Sequence, residues 1–293
     1  MIFPTSIFGG LDLARRALTA HQLAVQVAGH NLANAATPGY SRERVDFVPS
    51  EERRGVDVQS VTRMRDRFLD FALINEQQTF GKHLSNEGLL SRIQAVVTDP
   101  PGEGLSAVMD DLFAGFQDLA ASPTDQSARF EVKDAGERLA LTFTLMRSHF
   151  DQIKTDVTTE INQRVEEAND LINQIADLNR QIVPLFQTSS PNNLLDQRDL
   201  LVSKLAEIAG VTQTDRADGT VQLALTGTGV LLVDGLAAFE LAATFNGGTD
   251  TVDLSAGGSL PVLPRSGRLG ALMESRNVST GPLKQAMTDL DTL

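Results

Sequence analysis

The sequence predicts a mainly α fold: an elongated, coiled-coil-like bundle of long helices carrying a small β-rich insert. Three observations point there. Phe143, Met146, Phe150, Ile153, Val157, Ile161, Val165, Ala168, Ile172, Ile175 and Ile182 form one apolar stripe, the period of a single helix face. From Val211 onward the apolar period changes to two, with Gly-containing turns between the runs, which reads as short strands. Aromatics make up only 5% of the chain, with no Trp and one Tyr. Burial then falls to Leu, Val, Ile, Ala and Phe, which suits helix–helix seams better than a large cofactor pocket.

The elements follow in order. Leu11, Ala14, Leu18, Val25, Leu32 and Ala35, with His21 and Ala28 in the gaps, alternate threes and fours over Leu11–Ala36. That is a heptad stripe on an α-helix. Asn31 and Asn34 weaken its end, because Asn competes for its own backbone. Pro38 disfavours α geometry at Thr37, and Thr37-Pro38-Gly39-Tyr40 reads as a type II turn. Two short extended segments follow, one through Val45 and Phe47 and one over Gly55–Val61. A helix is expected to resume near Arg63, with Met64, Phe68, Phe71 and Ile74 on one face, and to run past Gly81 to about Val97. Asp99-Pro100-Pro101-Gly102 is its stop. Leu105–Ala121 is the next helix, aligned on Leu105, Val108, Leu112, Phe116 and Leu119.

Ser122-Pro123-Thr124-Asp125 predicts the start of the long helix, with Ser122 as N-cap. It should run to about Val183. The fours from Ile153 to Val165 resemble a stutter. Ser190-Pro191 repeats the start signal, and Gly210 should cap that helix after Ala209. Five short strands are expected: Val211–Arg216, Thr220–Leu225, Val230–Val233, Phe239–Phe245 and Thr251–Leu254. Asp218-Gly219, Asp234-Gly235 and Gly247-Gly248 supply their turns. The implied organisation is an N-terminal helix (1–36), a turn and extended linker (37–62), a helical bundle (63–210), a β-rich insert (211–265) and a return helix (266–293).

Composition excludes several functions. Net charge is −13, the wrong sign for phosphate partners or an anionic membrane. Arg53-Arg54 and the Arg63, Arg65, Arg67 series are short and diluted by acids. No cysteine is present, so disulfides, thiolate metal sites and Cys nucleophiles are ruled out. The start lacks the basic and apolar regions of a secretory signal, and no apolar run approaches the ~20 residues that span a bilayer.

No catalytic constellation is visible. His21, His30, His83 and His149 form no HExxH frame or other ligand spacing. Asp215–Gly219 lacks the spacing of a calcium loop and reads as a β-turn. Asp196, Arg198 and Asp199 read as ion pairs that fix a helix against its neighbour rather than as acid/base groups. No catalytic residue, cofactor or metal is expected, and neither nucleic acid nor membrane is an expected partner.

The stretch N-x-x-N-x-x-T-P-G-Y, carried by Asn31, Asn34, Thr37, Pro38, Gly39 and Tyr40 and followed by SRERVDF, resembles the N-terminal segment of bacterial flagellar axial proteins: the rod, hook and hook-associated families. Residues 55–70 resemble the hook-associated protein 1 family through Gly55, Val56, Val58, Val61, Arg63, Asp66 and Phe68. So does SPNNLLDQRDLLVSKLAEIAGV, through Asn192, Leu194, Leu195, Asp196, Arg198, Asp199 and Leu200, and so does GRLGALMESRN at 267–277. The insert at 211–265 matches in position and character alone.

That resemblance implies a structural, non-enzymatic subunit of the hook–filament junction, exported unfolded by the flagellar type III apparatus and located in the extracellular flagellum. Implied partners are copies of itself in a ring, the hook protein, the second junction protein and an export chaperone bound near the C-terminus. Leu11, Ala14, Leu18, Val25 and Leu32 would be its assembly interface. The family ends in a second Ala-rich heptad helix. Nothing after Gly267 has that pattern, so a chain lacking its C-terminal part, chaperone site included, is the expectation. A rod or hook subunit is the alternative within the group. A flagellum-associated wall hydrolase or a secreted coiled-coil effector is the alternative outside it.

Overall fold

The structure is a computed structural model and describes residues 7–49, 55–98, 104–187, 190–258 and 261–292. The sequence signals at Arg53-Arg54 and Asp99-Pro100-Pro101-Gly102 lie outside the described residues. The long apolar stripe becomes helix α4, Gln126–Phe186, with α1 (Ile7–Ala33), α2 (Arg67–Val97), α3 (Leu105–Ala121) and α5 (Asn192–Ala209) as the other long elements. Strands β1 (Glu43–Pro49) and β2 (Val56–Arg63) pair antiparallel with a bulge at Asp46/Phe47. The fold is elongated, because a helix of this length spans roughly 90 Å at 1.5 Å per residue.

The core follows the C-terminal two thirds of α4. Phe150, Ile153, Val157, Ile161, Val165, Ala168, Ile172, Ile175 and Ile182 are all buried there, against α2, α5, α6 (Gly267–Asn277) and the insert. Where α2 crosses α5, Gly81 lies so close to the Glu207 carbonyl that a Cβ would sit 2.1 Å from its oxygen. Only glycine permits that approach.

Several local expectations are corrected. Helix α1 stops at Ala33 rather than Ala36, because the Asn34 amide turns back to the His30 carbonyl at 3.0 Å. Arg63 ends a strand and pairs with Glu43, so α2 starts only at Arg67, where Asp66 caps the Phe68 N–H. Of the face that starts α2, Phe68 and Phe71 are exposed while Ile74 packs against the core, and Gln78, Gly81 and Leu89 are buried further along. Phe116 on α3 is exposed as well.

Ser122 closes α3 by donating its N–H to Asp118. Asp125 is the N-cap of α4, accepting from the Ser127 N–H. Pro123 keeps Ser122 out of helical geometry, so the cap moves to the next acceptor. Helix α4 runs past Val183 through Pro184 to Phe186, although Pro184 has no N–H to give the Arg180 carbonyl one turn back. Pro191 rather than Ser190 stands at the N-cap, without a side-chain capping bond, and α5 begins at Asn192. Gly210 ends α5 with φ +63.

Among its described residues the insert has six strands rather than five. They are β3 (Val211–Asp215), β4 (Val221–Leu225), β5 (Leu231–Asp234), β6 (Ala237–Ala238), β7 (Leu241–Asn246) and β8 (Thr251–Ala256). They form a four-stranded meander, β3-β4-β5-β6, and a separate hairpin, β7-β8. The return helix is two helices, α6 and α7 (Pro282–Thr292). Between them Gly281 donates to the Val278 carbonyl, and Pro282 cannot extend the preceding ladder.

One device recurs. A helical asparagine donates its amide N–H to a strand residue's carbonyl and accepts from the same residue's N–H. Asn169 does this to Leu241, Asn277 to Val252 and Asn179 to Val221. These clasps satisfy strand groups that would otherwise end at an unpaired edge.

Candidate functional site

Helix α1 stands apart from the main core and rests on the β1–β2 ribbon. Its packed side carries Ala20 and Val27, which are buried beside Val45 of β1. The opposite stripe is open. Leu11 is 62% exposed, Leu18 60%, Val25 72% and Leu32 81%, and Ala14 is exposed too. His21, on the same stripe, tilts against Phe47 with ring centroids 5.9 Å apart. Four large apolar side chains thus align on one exposed face of the helix.

The corner after α1 is tied by hydrogen bonds. The Tyr40 N–H donates to the Thr37 carbonyl at 3.2 Å and Gly39 has φ +80, as a type II turn requires. Pro38 is exposed at the turn's tip. Thr37 also donates its N–H to Asn34 at 2.9 Å and its hydroxyl to the Asn34 side chain at 3.3 Å. Asn31 clasps β1: its amide donates to the Glu43 carbonyl at 2.9 Å and its oxygen accepts from the Glu43 N–H at 2.8 Å. The Tyr40 hydroxyl donates to that same oxygen at 2.8 Å. Burial pushes the Tyr40 phenol up, and the Glu43 and Asp196 carboxylates add to it.

The block on α5 meets this corner. Asp196 accepts from the Ser41 N–H at 3.0 Å and lies in ion-pair contact with Arg63 Nε at 2.9 Å, without hydrogen-bond alignment. Asp199 takes the other end of Arg63 and also Arg65. Asn192 donates to the Glu43 carboxylate at 2.8 Å and to the Val61 carbonyl at 3.0 Å. Leu200 packs on Gly39, where an added Cβ would meet its Cβ at 3.0 Å. Leu194 and Leu195 are half-buried on the same helix.

Arg198 points the other way, into the body. It donates to the Gly219 carbonyl at 2.6 Å and to Asn179 at 3.3 Å, and approaches Asp199 only to 3.6 Å. Burial pulls its pKa down, with Asp199 opposing. The acids of the block are therefore paired chiefly with Arg63 and Arg65, not with Arg198. Those two arginines were the residues the sequence reading left out of the site. Arg63 carried a signal, since it falls on the family pattern of residues 55–70. Burial also lowers the Arg65 pKa, but Asp70 and Asp199 outweigh it and the net direction is up.

Among the described residues, no group of three or more His, Asp or Glu could hold a metal ion. Among the same residues, no helix is long and apolar enough to cross a membrane. The site's chemistry is an apolar helix face mounted on a polar, ion-paired corner.

Comparison with known proteins places both parts. Residues 90–293 match the family described as the flagellar hook-associated protein FlgK helical domain, and residues 11–40 match the flagella basal body rod protein family. The flagellar hook-associated protein 1 of Bacillus subtilis (strain 168) is 30% identical over 99% of this chain and 65% of its own length. The Salmonella typhimurium protein of that name is 29% identical, covering 91% of this chain and 51% of its own. The Escherichia coli (strain K12) protein is 30% identical, covering 80% and 44%. The chain thus spans from under half to about two thirds of these relatives. A solved structure of the flagellar hook junction protein FlgK from Burkholderia pseudomallei superposes with a TM-score of 0.59 at 30% identity, over 69% of this chain and 38% of that one. The match over 204 residues of the body, joined to the likeness along nearly the whole chain, means that this chain belongs to the flagellar hook-associated protein FlgK family.

Proposed function

We propose that the chain is a structural subunit of the hook–filament junction of the bacterial flagellum, acting by helix packing and not by catalysis. The observation that carries this is the open stripe Leu11, Ala14, Leu18, Val25 and Leu32, on a helix whose other face is already packed. Such a face seeks other helices. In this reading residues 1–36 enter a shared inner tube. The corner at Thr37–Tyr40 turns the chain outward through 37–62, and the bundle of 63–210, the insert of 211–265 and residues 266–293 project from it. Its partners are copies of itself in a ring, the hook protein and the second junction protein. Export runs through the type III apparatus, and the final location is the extracellular flagellum.

Deleting the gene tests this. Cells should keep hooks, lose filaments and shed unassembled filament protein. Loss of hooks would overturn the junction reading and favour a rod or hook subunit. That alternative draws on the match of residues 11–40 to the rod protein family, and the match of residues 90–293 weighs against it.

A further inference from the structure

The geometry points to a positioning device: Asn31, Asn192 and Asp196 set the angle of the α1 stripe relative to the bundle. This rests on the proposed role of that stripe and names the residues that aim it.

Among the described residues, the unit of α1, β1 and β2 contributes none to the main core cluster. Apolar burial is non-directional, and little of it joins this unit to the bundle. Apart from Leu200 against Gly39 at the corner, what joins it is polar. Asp196 holds the Ser41 N–H, just before β1, and Arg63, the last residue of β2. Asn192 holds the Glu43 side chain on β1 and the Val61 carbonyl on β2. Helix α5 therefore pinches the open end of the ribbon from both strands at once. Asn31 then fastens α1 to Glu43, the residue whose side chain Asn192 holds. The links run from α5 through Glu43 to α1, and each is a hydrogen bond or ion pair with its own direction.

Asp196 is 8% and Asn192 8% exposed, so water competes weakly for these partners. A chain of directional contacts fixes an orientation in a way that an apolar patch of the same size would not. The device lets the stripe be presented at one angle before any neighbour is met, which lowers the ordering cost of assembly.

The absence of native cysteine allows a direct test. Spin labels are placed through Gln22→Cys on α1 and Gln181→Cys on α4, both exposed, and their separation is measured by pulsed dipolar spectroscopy on the full chain. The parent should give one narrow distance peak. Asp196→Asn and Asn192→Ala should each lose that peak to a broad distribution while helical circular dichroism is retained. Asn31→Ala, which lies off the bundle, should do the same and guards against a folding defect on α5. Narrow, unshifted peaks in all three variants would overturn the positioning role. Filaments made by cells lacking the chain would overturn the junction reading instead and leave the distance result standing.

Discussion

Gly81→Ala sets two physical effects against each other, and the structure decides which wins. In an exposed helix interior, alanine is favoured over glycine by ~0.8–1.0 kcal/mol. Here the new Cβ would lie 2.1 Å from the Glu207 carbonyl oxygen, 3.0 Å from its carbon and 3.1 Å from Cγ. Two of those atoms are α5 backbone, so no rotamer change relieves the clash. The helices must part by more than an ångström. That strains Gln78, whose side-chain oxygen accepts from Thr226 and Ser266, and the Glu207–Arg268 ion pair. Overpacking of this kind costs about 1–3 kcal/mol, enough to outweigh the propensity gain. Urea unfolding of the chain should show a lower midpoint with an unchanged slope. A midpoint equal to or above the parent's would refute the reasoning, since it would mean that α2 and α5 do not cross this closely.

Other predictions follow from the corner and the insert. Arg63→Met removes a guanidinium shared by Asp196 and Asp199, whose side chains are 10% and 16% exposed. It should cost about 2–3 kcal/mol, below the full price of an orphaned buried charge because Arg65 still serves Asp199. A double-mutant cycle with Asp196→Asn by urea unfolding should show coupling above ~0.5 kcal/mol, and additivity would count against the pair. Asn169→Leu leaves the Leu241 N–H and carbonyl without their clasp. It should cost about 1–3 kcal/mol and raise amide exchange in β7 ahead of α4, which hydrogen exchange with mass spectrometry reads. Asp250 is pushed up by burial but pulled further down by Lys154 and Arg276, so its folded pKa lies below the ordinary 3.8. Its stabilisation is therefore present above that value and lost as pH falls below it. Thermal melts from pH 5 downward should fall less steeply for Asp250→Asn, and an identical slope would contradict the assignment.

How much was legible in the sequence depended on how local the cause was. The stripe from Phe150 to Ile182 was plain because one side of a long helix is buried and repetition makes the period visible. The turn at Pro38-Gly39 was plain because each residue restricts its own backbone. Ser122 misled because Ser-Pro-Thr-Asp offers two N-caps, and the spacing of the preceding helix end decides between them. The exposure of Phe68 and Phe71 was not legible, because aromatic character says a face is apolar and not whether anything covers it. From the sequence Asn31 reads only as a helix weakener, and Asn169, Asn179 and Asn277 carry no signal. Asn31, Asn169, Asn179 and Asn277 instead clasp strand residues whose positions only the tertiary fold sets. The pairing of Arg63 with Asp196 and Asp199 joins segments far apart in the chain, which no local pattern announces.

The central claim is that the open stripe of α1 is what assembles. It is tested most directly by expressing the Leu18→Asp, Leu32→Asp double variant as the cell's only copy and counting filaments by electron microscopy. Both side chains are largely exposed, so the charges should leave the bundle folded and the chain exported. The account predicts hooks without filaments, with the variant recovered from the medium. Filaments of normal number on cells carrying only that variant would contradict it.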